Sequence, residues 1–216
     1  MFNPIIILIA LTVLASAYAF SQPEFMEAWI LEPALMARRG QWYRFLTSGF
    51  LHADWGHLLF NMFAFYSFSP VVLGALASSF GPGVGLGWFL LLYLGGIVLS
   101  DVPTYFRHRR DANYRSLGAS GGVSAVVFAS ILLFPVAPGG GGIIIFPIPF
   151  PIQPFLFGFL YLAYSWYQGR RRSGDNINHD AHFYGALFGV VLVLALLPAS
   201  APRFITQVQQ FIYSKF

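Results

Sequence analysis

The sequence predicts an all-α membrane protein, a bundle of six transmembrane helices with a long interfacial first loop. Three observations predict it. Of 216 residues, 57% are apolar and 9% are charged, against about 45–50% and about 25% in ordinary soluble domains. The apolar residues gather in runs near the ~20 residues that cross a bilayer. The charged residues gather between those runs. So few charges cannot cover a soluble particle of this size, which excludes a soluble enzyme, a disordered chain and a nucleic-acid-binding protein. The net charge of +4 reflects cations in the segments between apolar runs, not a basic face. There is no Cys, which excludes disulfides, thiolate catalysis and iron–sulfur ligation.

The first run covers residues 4–20. Ala15-Ser16-Ala17 and Ala17-Tyr18-Ala19 read as signal-cleavage sites, but no Lys or Arg precedes the run, so a first span is expected. Residues 21–56 carry Glu24, Glu27, Glu32, Arg38, Arg39, Arg44 and Asp54 among Trp, Phe and Leu. They read as a loop with amphipathic helical pieces lying in the interface. From Gly56 to Ser100 no side chain carries a fixed charge, and Gly81-Pro82-Gly83 breaks that length. A second span is expected near 57–79 and a third near 83–100, followed by a charged loop from Asp101 to Arg115. A fourth span is expected over 119–136 and a fifth over 154–168, with an irregular segment or short hairpin between them. Gly169 to Asn178, with Arg170, Arg171 and Arg172, reads as a loop before a sixth span at 181–198. In the tail, residues 203–216, Phe204, Ile205, Val208, Phe211 and Ile212 fall on one helical face and predict an interfacial helix. The whole chain, residues 1–216, reads as one domain without internal repeats.

Polar groups at membrane depth are costly and mark function by default. Here His57 and Asn61 open the second span, Ser120 the fourth and His182 the sixth. Even-numbered spans of a six-helix serpentine start on the same side, so these four side chains share one face. Gly118-Ala119-Ser120-Gly121 puts a hydroxyl at a helix start, where free N–H groups and the positive dipole end can support a nucleophile and its oxyanion. Taken alone, such a Ser is more often a helix cap. Gly185 and Gly189 give the sixth span a small face, matched by Gly121, Gly122 and Ala125 on the fourth. Close packing there brings the His182 imidazole toward Ser120, whose hydroxyl needs a base. His57 and Asn61 stack at i and i+4 and can donate hydrogen bonds without a fixed charge.

Trp42-x-Arg44, Gly49-Phe50-Leu51-His52 with His57-x-x-x-Asn61, Gly118-Ala119-Ser120-Gly121 and Ala181-His182-x-x-Gly185-x-x-x-Gly189 follow in that order. Together they resemble the rhomboid intramembrane serine proteases, over about residues 41–197. The resemblance implies Ser120 as nucleophile and His182 as general base, with His57, Asn61 and the Ser120 amide as oxyanion donors. It implies a structural role for Arg44 in the first loop and a capping role for the fifth loop. Substrates would be membrane proteins whose transmembrane segment is helix-destabilised, since the segment must unwind to present a carbonyl. It further implies a multi-pass protein of a bacterial inner (plasma) membrane, working in the lipid bilayer without a cofactor. One position departs from the pattern. Ser124 stands where many rhomboids carry an aromatic packed on the catalytic imidazole, so His182 must be held by Ser124 itself or by a neighbouring Tyr.

No H-E-x-x-H motif or intramembrane Asp pair is present, and His179 with His182 is too small a set for a closed metal site. Ten of the twelve Lys and Arg lie in the first, third and fifth loops. That bias alone turns the Ser120 face to the cytoplasm, whereas the resemblance turns it outward, and the latter is expected. The alternative is a rhomboid-like protein that binds transmembrane segments without cutting them. Retention of both Ser120 and His182 argues against it.

Overall fold

A computed structural model describes residues 3–145, 149–171 and 177–215. Helices are its regular elements, joined by turns and irregular backbone, and the described residues hold only isolated β-bridges. The long helices are α1 (Pro4–Ser21), α5 (Trp55–Phe80), α6 (Pro82–His108), α7 (Ser120–Leu133), α8 (Pro154–Arg171) and α9 (His179–Leu196). Three short helices fill the first loop, α2 (Pro23–Trp29), α3 (Pro33–Arg39) and α4 (Arg44–Thr47), and α10 (Ser200–Tyr213) forms the tail. Helices α1, α5, α6 and α9 are long and apolar enough to cross a membrane. Leu14, Phe60, Phe63 and Phe159 are each at least two-thirds exposed on the outside of the bundle. An apolar exterior of this kind belongs in hydrocarbon, and the protein is a multi-pass membrane protein.

Helix α7 is the centre. Every residue from Gly121 to Ile131 is buried, and α9, α6 and α5 pack around it. A helix apolar on all sides has no other stable place. It is shorter than the expected 119–136, because it stops at Phe134 just before Pro135. Helix α9 begins earlier than expected, at His179, where the Asn178 side chain accepts from the Ala181 N–H as an N-cap.

The segment expected as a charged loop from Asp101 is instead helical to His108. The charges do not end α6, because tertiary partners take them up. Asp101 accepts from Asn178 Nδ2 at 2.9 Å and Arg107 pairs with Asp180. The segment between α7 and α8 forms a short antiparallel contact, with Ile143 and Ile152 exchanging backbone hydrogen bonds at 2.8 and 2.9 Å.

Arg44 organises the first loop. The residue is 4% exposed, and its guanidinium donates to the Glu27 and Ile30 carbonyls at 2.8 and 2.6 Å and to Gln41 Oε1 at 2.7 Å. The tail helix docks Phe211 on Phe155 of α8, with ring centroids 5.9 Å apart, and leaves Ile205 and Ile212 exposed.

Candidate active site

Gly118 enters α7 with φ +130°, a conformation side chains resist. A Cβ at this position would lie 2.9 Å from Cε1 and 3.1 Å from Nε2 of His57, and 3.8 Å from Oγ of Ser120. The imidazole and the hydroxyl therefore flank the same stretch of bare backbone. Ser120 is the first residue of α7, so the turn that follows begins with N–H groups lacking intrahelical acceptors.

Two contacts hold His57. Its backbone N–H donates to Oδ1 of Asp54, the N-cap of α5, at 2.8 Å. The Ala53 N–H points at Nδ1 over a long 3.5 Å, which favours the tautomer with the proton on Nε2, toward Gly118. Asn61, buried one turn later, donates from Nδ2 to the His57 carbonyl at 3.0 Å. That bond uses one of its two amide hydrogens and fixes the side chain on its own helix.

Helices α7 and α9 run parallel and touch through backbone. A Cβ on Gly185 would overlap the Gly121 carbonyl oxygen, and one on Gly189 the Ala125 carbonyl oxygen. Contacts at 121 and 185 and again at 125 and 189 put the starts of both helices at the same end. Ser120 stands one residue before the first contact and His182 nearly one turn before it. Ser120, His57 and His182 are each partly exposed, so this end is not sealed within the bundle. A cavity of about 1160 Å³ lies at the opposite end, between Ser130, Leu133, Leu196 and Ser200.

Three further groups meet this end of the bundle. Tyr161 of α8 stacks on His182, and its hydroxyl lies 3.2 Å from Ser124 Oγ. Asn178 bridges Asp101 and Ser116 through Nδ2, at 2.9 and 3.1 Å, while its Oδ1 accepts from Thr104 at 3.2 Å. Its position just before His179-Asp180 is an N-cap signal that sequence could have yielded. His52 packs edge-on to His57 with ring centroids 4.9 Å apart. Ser16 Oγ donates to the Phe50 carbonyl at 2.9 Å and lies 3.0 Å from His52 Nδ1, which fits Nδ1–H donating to the hydroxyl. Burial, then the neighbouring His57, lowers the His52 pKa to about 3. Residues 172–176, half of the fifth loop expected to cap the site, lie outside the described residues.

Fold and site together define a multi-pass helical membrane protein with its polar cluster at one end of the bundle. The Rhomboid domain profile matches residues 39–199, three-quarters of the chain, and includes His57, Asn61, Ser120, Tyr161 and His182. The chain belongs to the rhomboid family. It is 33% identical over 97 residues to the Bacillus subtilis (strain 168) protein YdcA, provisionally named a rhomboid protease, covering 44% of each chain. It is 32% identical over 165 residues to Rhomboid-like protein 11, chloroplastic, of Arabidopsis thaliana, covering 72% of this chain and 52% of that protein. Against Presenilin-associated rhomboid-like protein A, mitochondrial, of Danio rerio it is 32% identical over 147 residues, 67% of this chain and 35% of that protein. The chain thus spans about half or less of the length of these curated relatives.

Proposed function

We propose that the protein is a serine-type intramembrane endopeptidase in which Ser120 is the nucleophile and His182 the general base. The observation that carries this reading is the backbone contact of α7 and α9 at Gly121 and Gly185, with Ser120 and His182 beside it at one end. Oγ of Ser120 attacks the scissile carbonyl carbon while His182 takes its proton. The oxyanion that forms accepts from Nε2–H of His57, from the remaining Asn61 N–H and from the Ser120 amide. Collapse expels the amine, which takes the proton from His182 and leaves an acyl-enzyme. Water then attacks the ester, His182 takes one of its protons, and collapse returns that proton to Ser120 and frees the new carboxylic acid, which ionises to solvent. A dyad suffices where packing orients the imidazole and donors stabilise the charge.

Substrates on this reading are membrane proteins with a helix-destabilised transmembrane segment, because a regular helix keeps its carbonyls in its own hydrogen bonds. Residues 1–216 act as one domain. On this reading the protein sits in a bacterial inner (plasma) membrane with the Ser120 face outside, as the motif resemblance implies, and single cysteines placed in this cysteine-free chain report that sidedness.

The test is cleavage of transmembrane test substrates in proteoliposomes, with fragments identified by mass spectrometry. The parent protein cuts, and folded Ser120→Ala and His182→Ala do not. Binding without cutting by the parent would instead favour the non-proteolytic rhomboid-like reading.

A further inference from the structure

Tyr161 sits on α8, which carries neither Ser120 nor His182. Its ring stacks on the His182 imidazole with centroids 6.1 Å apart and planes 18° apart. Ring packing fixes it from two more sides, by Phe128 of α7 and Phe157 of its own helix, each at 5.6 Å between centroids. Its hydroxyl lies 3.2 Å from Ser124 Oγ. Ser124 is 5% exposed and lies on α7, four residues beyond Ser120. The phenol is thus anchored at its polar tip by the nucleophile's helix and wedged along its body by two Phe rings. So held, the ring lies nearly parallel to the His182 imidazole. His179 meets the same imidazole edge-on, with centroids 6.0 Å apart.

An imidazole on a helix turns freely about two side-chain bonds unless something fixes it, and a base that misses its proton by about 1 Å can lose on the order of 100-fold in rate. A carboxylate partner is the common solution. Asp180, the acid nearest in sequence, is instead committed to Arg107. A stacked ring is another way to hold the plane, with few rotamers of its own to lose. Resting on the reading of Ser120 and His182 as the dyad, we infer that Tyr161 is the positioning residue for His182: its ring, tethered through Ser124, holds the imidazole in the orientation that faces Ser120. Because α8 carries the ring while α7 and α9 carry the dyad, the base is aligned only while α8 is packed home.

Two measurements test this. The first needs no turnover. In Ser120→Ala protein labelled with ¹³C/¹⁵N-histidine in detergent micelles, the His182 ring resonances are assigned by their loss in His182→Gln. The parent shows a ring-current displacement of the His182 resonances from the near-parallel Tyr161 ring. Tyr161→Phe keeps that shift, and Tyr161→Leu and the bulkier Tyr161→Met abolish it. The second is steady-state cleavage of a transmembrane substrate by variants whose melting curves show a folded state. Tyr161→Leu or Tyr161→Met lowers kcat by about 10- to 100-fold with KM unchanged. Tyr161→Phe restores most of the loss. The inference is overturned by a His182 shift indifferent to loss of the ring, by parental kcat in a folded ring-less variant, or by Tyr161→Phe as impaired as Tyr161→Leu. A parent that shows the stacked resonance but cleaves nothing overturns the dyad reading, and the ring contact is then judged by the spectrum alone.

Discussion

Replacing Gly185 by Ala adds one methyl group at the contact between α9 and α7. The added carbon would overlap the Gly121 carbonyl oxygen and lie 2.8 Å from its carbonyl carbon and 2.9 Å from its Cα. These are backbone atoms of a helix buried on every side, and no rotamer can turn them away. Restoring ordinary contact at about 3.5 Å or more means moving α9 outward by roughly 1 Å. Overpacking of this kind costs about 1–3 kcal/mol of stability, so the variant still folds in a protein of ordinary stability. The same displacement carries His182 away from Ser120, and 1 Å of misplacement can cost on the order of 100-fold in rate. Gly185→Val costs at least as much. The assay is the rate constant for cleavage of a transmembrane substrate, with a melting curve to certify folding. Gly87→Ala on α6, where an added Cβ meets nothing within 4 Å, is the control and keeps parental activity. A folded Gly185→Ala protein with parental activity would refute the claim that this contact sets the distance between Ser120 and His182.

His57→Ala and Asn61→Ala each lower turnover by about 100- to 1,000-fold, yet leave Ser120 slowly reactive toward a covalent probe, because oxyanion donors act on the developing charge. Cleavage at the parental rate by both variants would return the pair to helix packing. Asn178→Ala removes the N-cap of α9 and strands the Asp101 carboxyl, 7% exposed. Its cost, read from chemical denaturation, is about 2–4 kcal/mol from a lost cap and an unsatisfied buried acceptor, and a loss under 0.5 kcal/mol, the scatter of about ±0.5 kcal/mol for neutral sites, would contradict it. His52 is held neutral, with its pKa lowered from 6.5 to about 3, so the unfolded chain binds the proton first. Its contribution is complete above the unfolded value and is lost as pH falls below it, amounting to about 2 kcal/mol by roughly pH 5. His52→Phe should flatten that acid limb of the stability profile, and an unchanged slope would contradict it.

The helices were legible because hydrocarbon selects for length and apolarity together. Their ends were less so. Asp101 and Arg107 look like loop residues in a hydropathy reading, and only Asn178 and Asp180, more than 70 residues later, keep them helical. Gly185 and Gly189 could be read as a packing face because small residues four apart serve little else in a membrane helix. A neighbouring Tyr was expected at His182, but that it is Tyr161 could not be read. It is one aromatic among the many of a lipid-facing helix, and its partner relation to Ser124 and His182 exists only once α8 is docked. The gap that Ser124 leaves was visible in the sequence. What fills it was not.

The central claim is that Ser120 is a nucleophile activated by His182. The most direct measurement is labelling of the protein by a fluorophosphonate probe in its native bilayer or in micelles, with the adduct located by peptide mass spectrometry. The account predicts one adduct, on Ser120, absent in Ser120→Ala and slowed by at least about 100-fold in folded His182→Ala, the scale on which a positioned base contributes. An adduct on another residue, or labelling of Ser120 at an unchanged rate without His182, would contradict it.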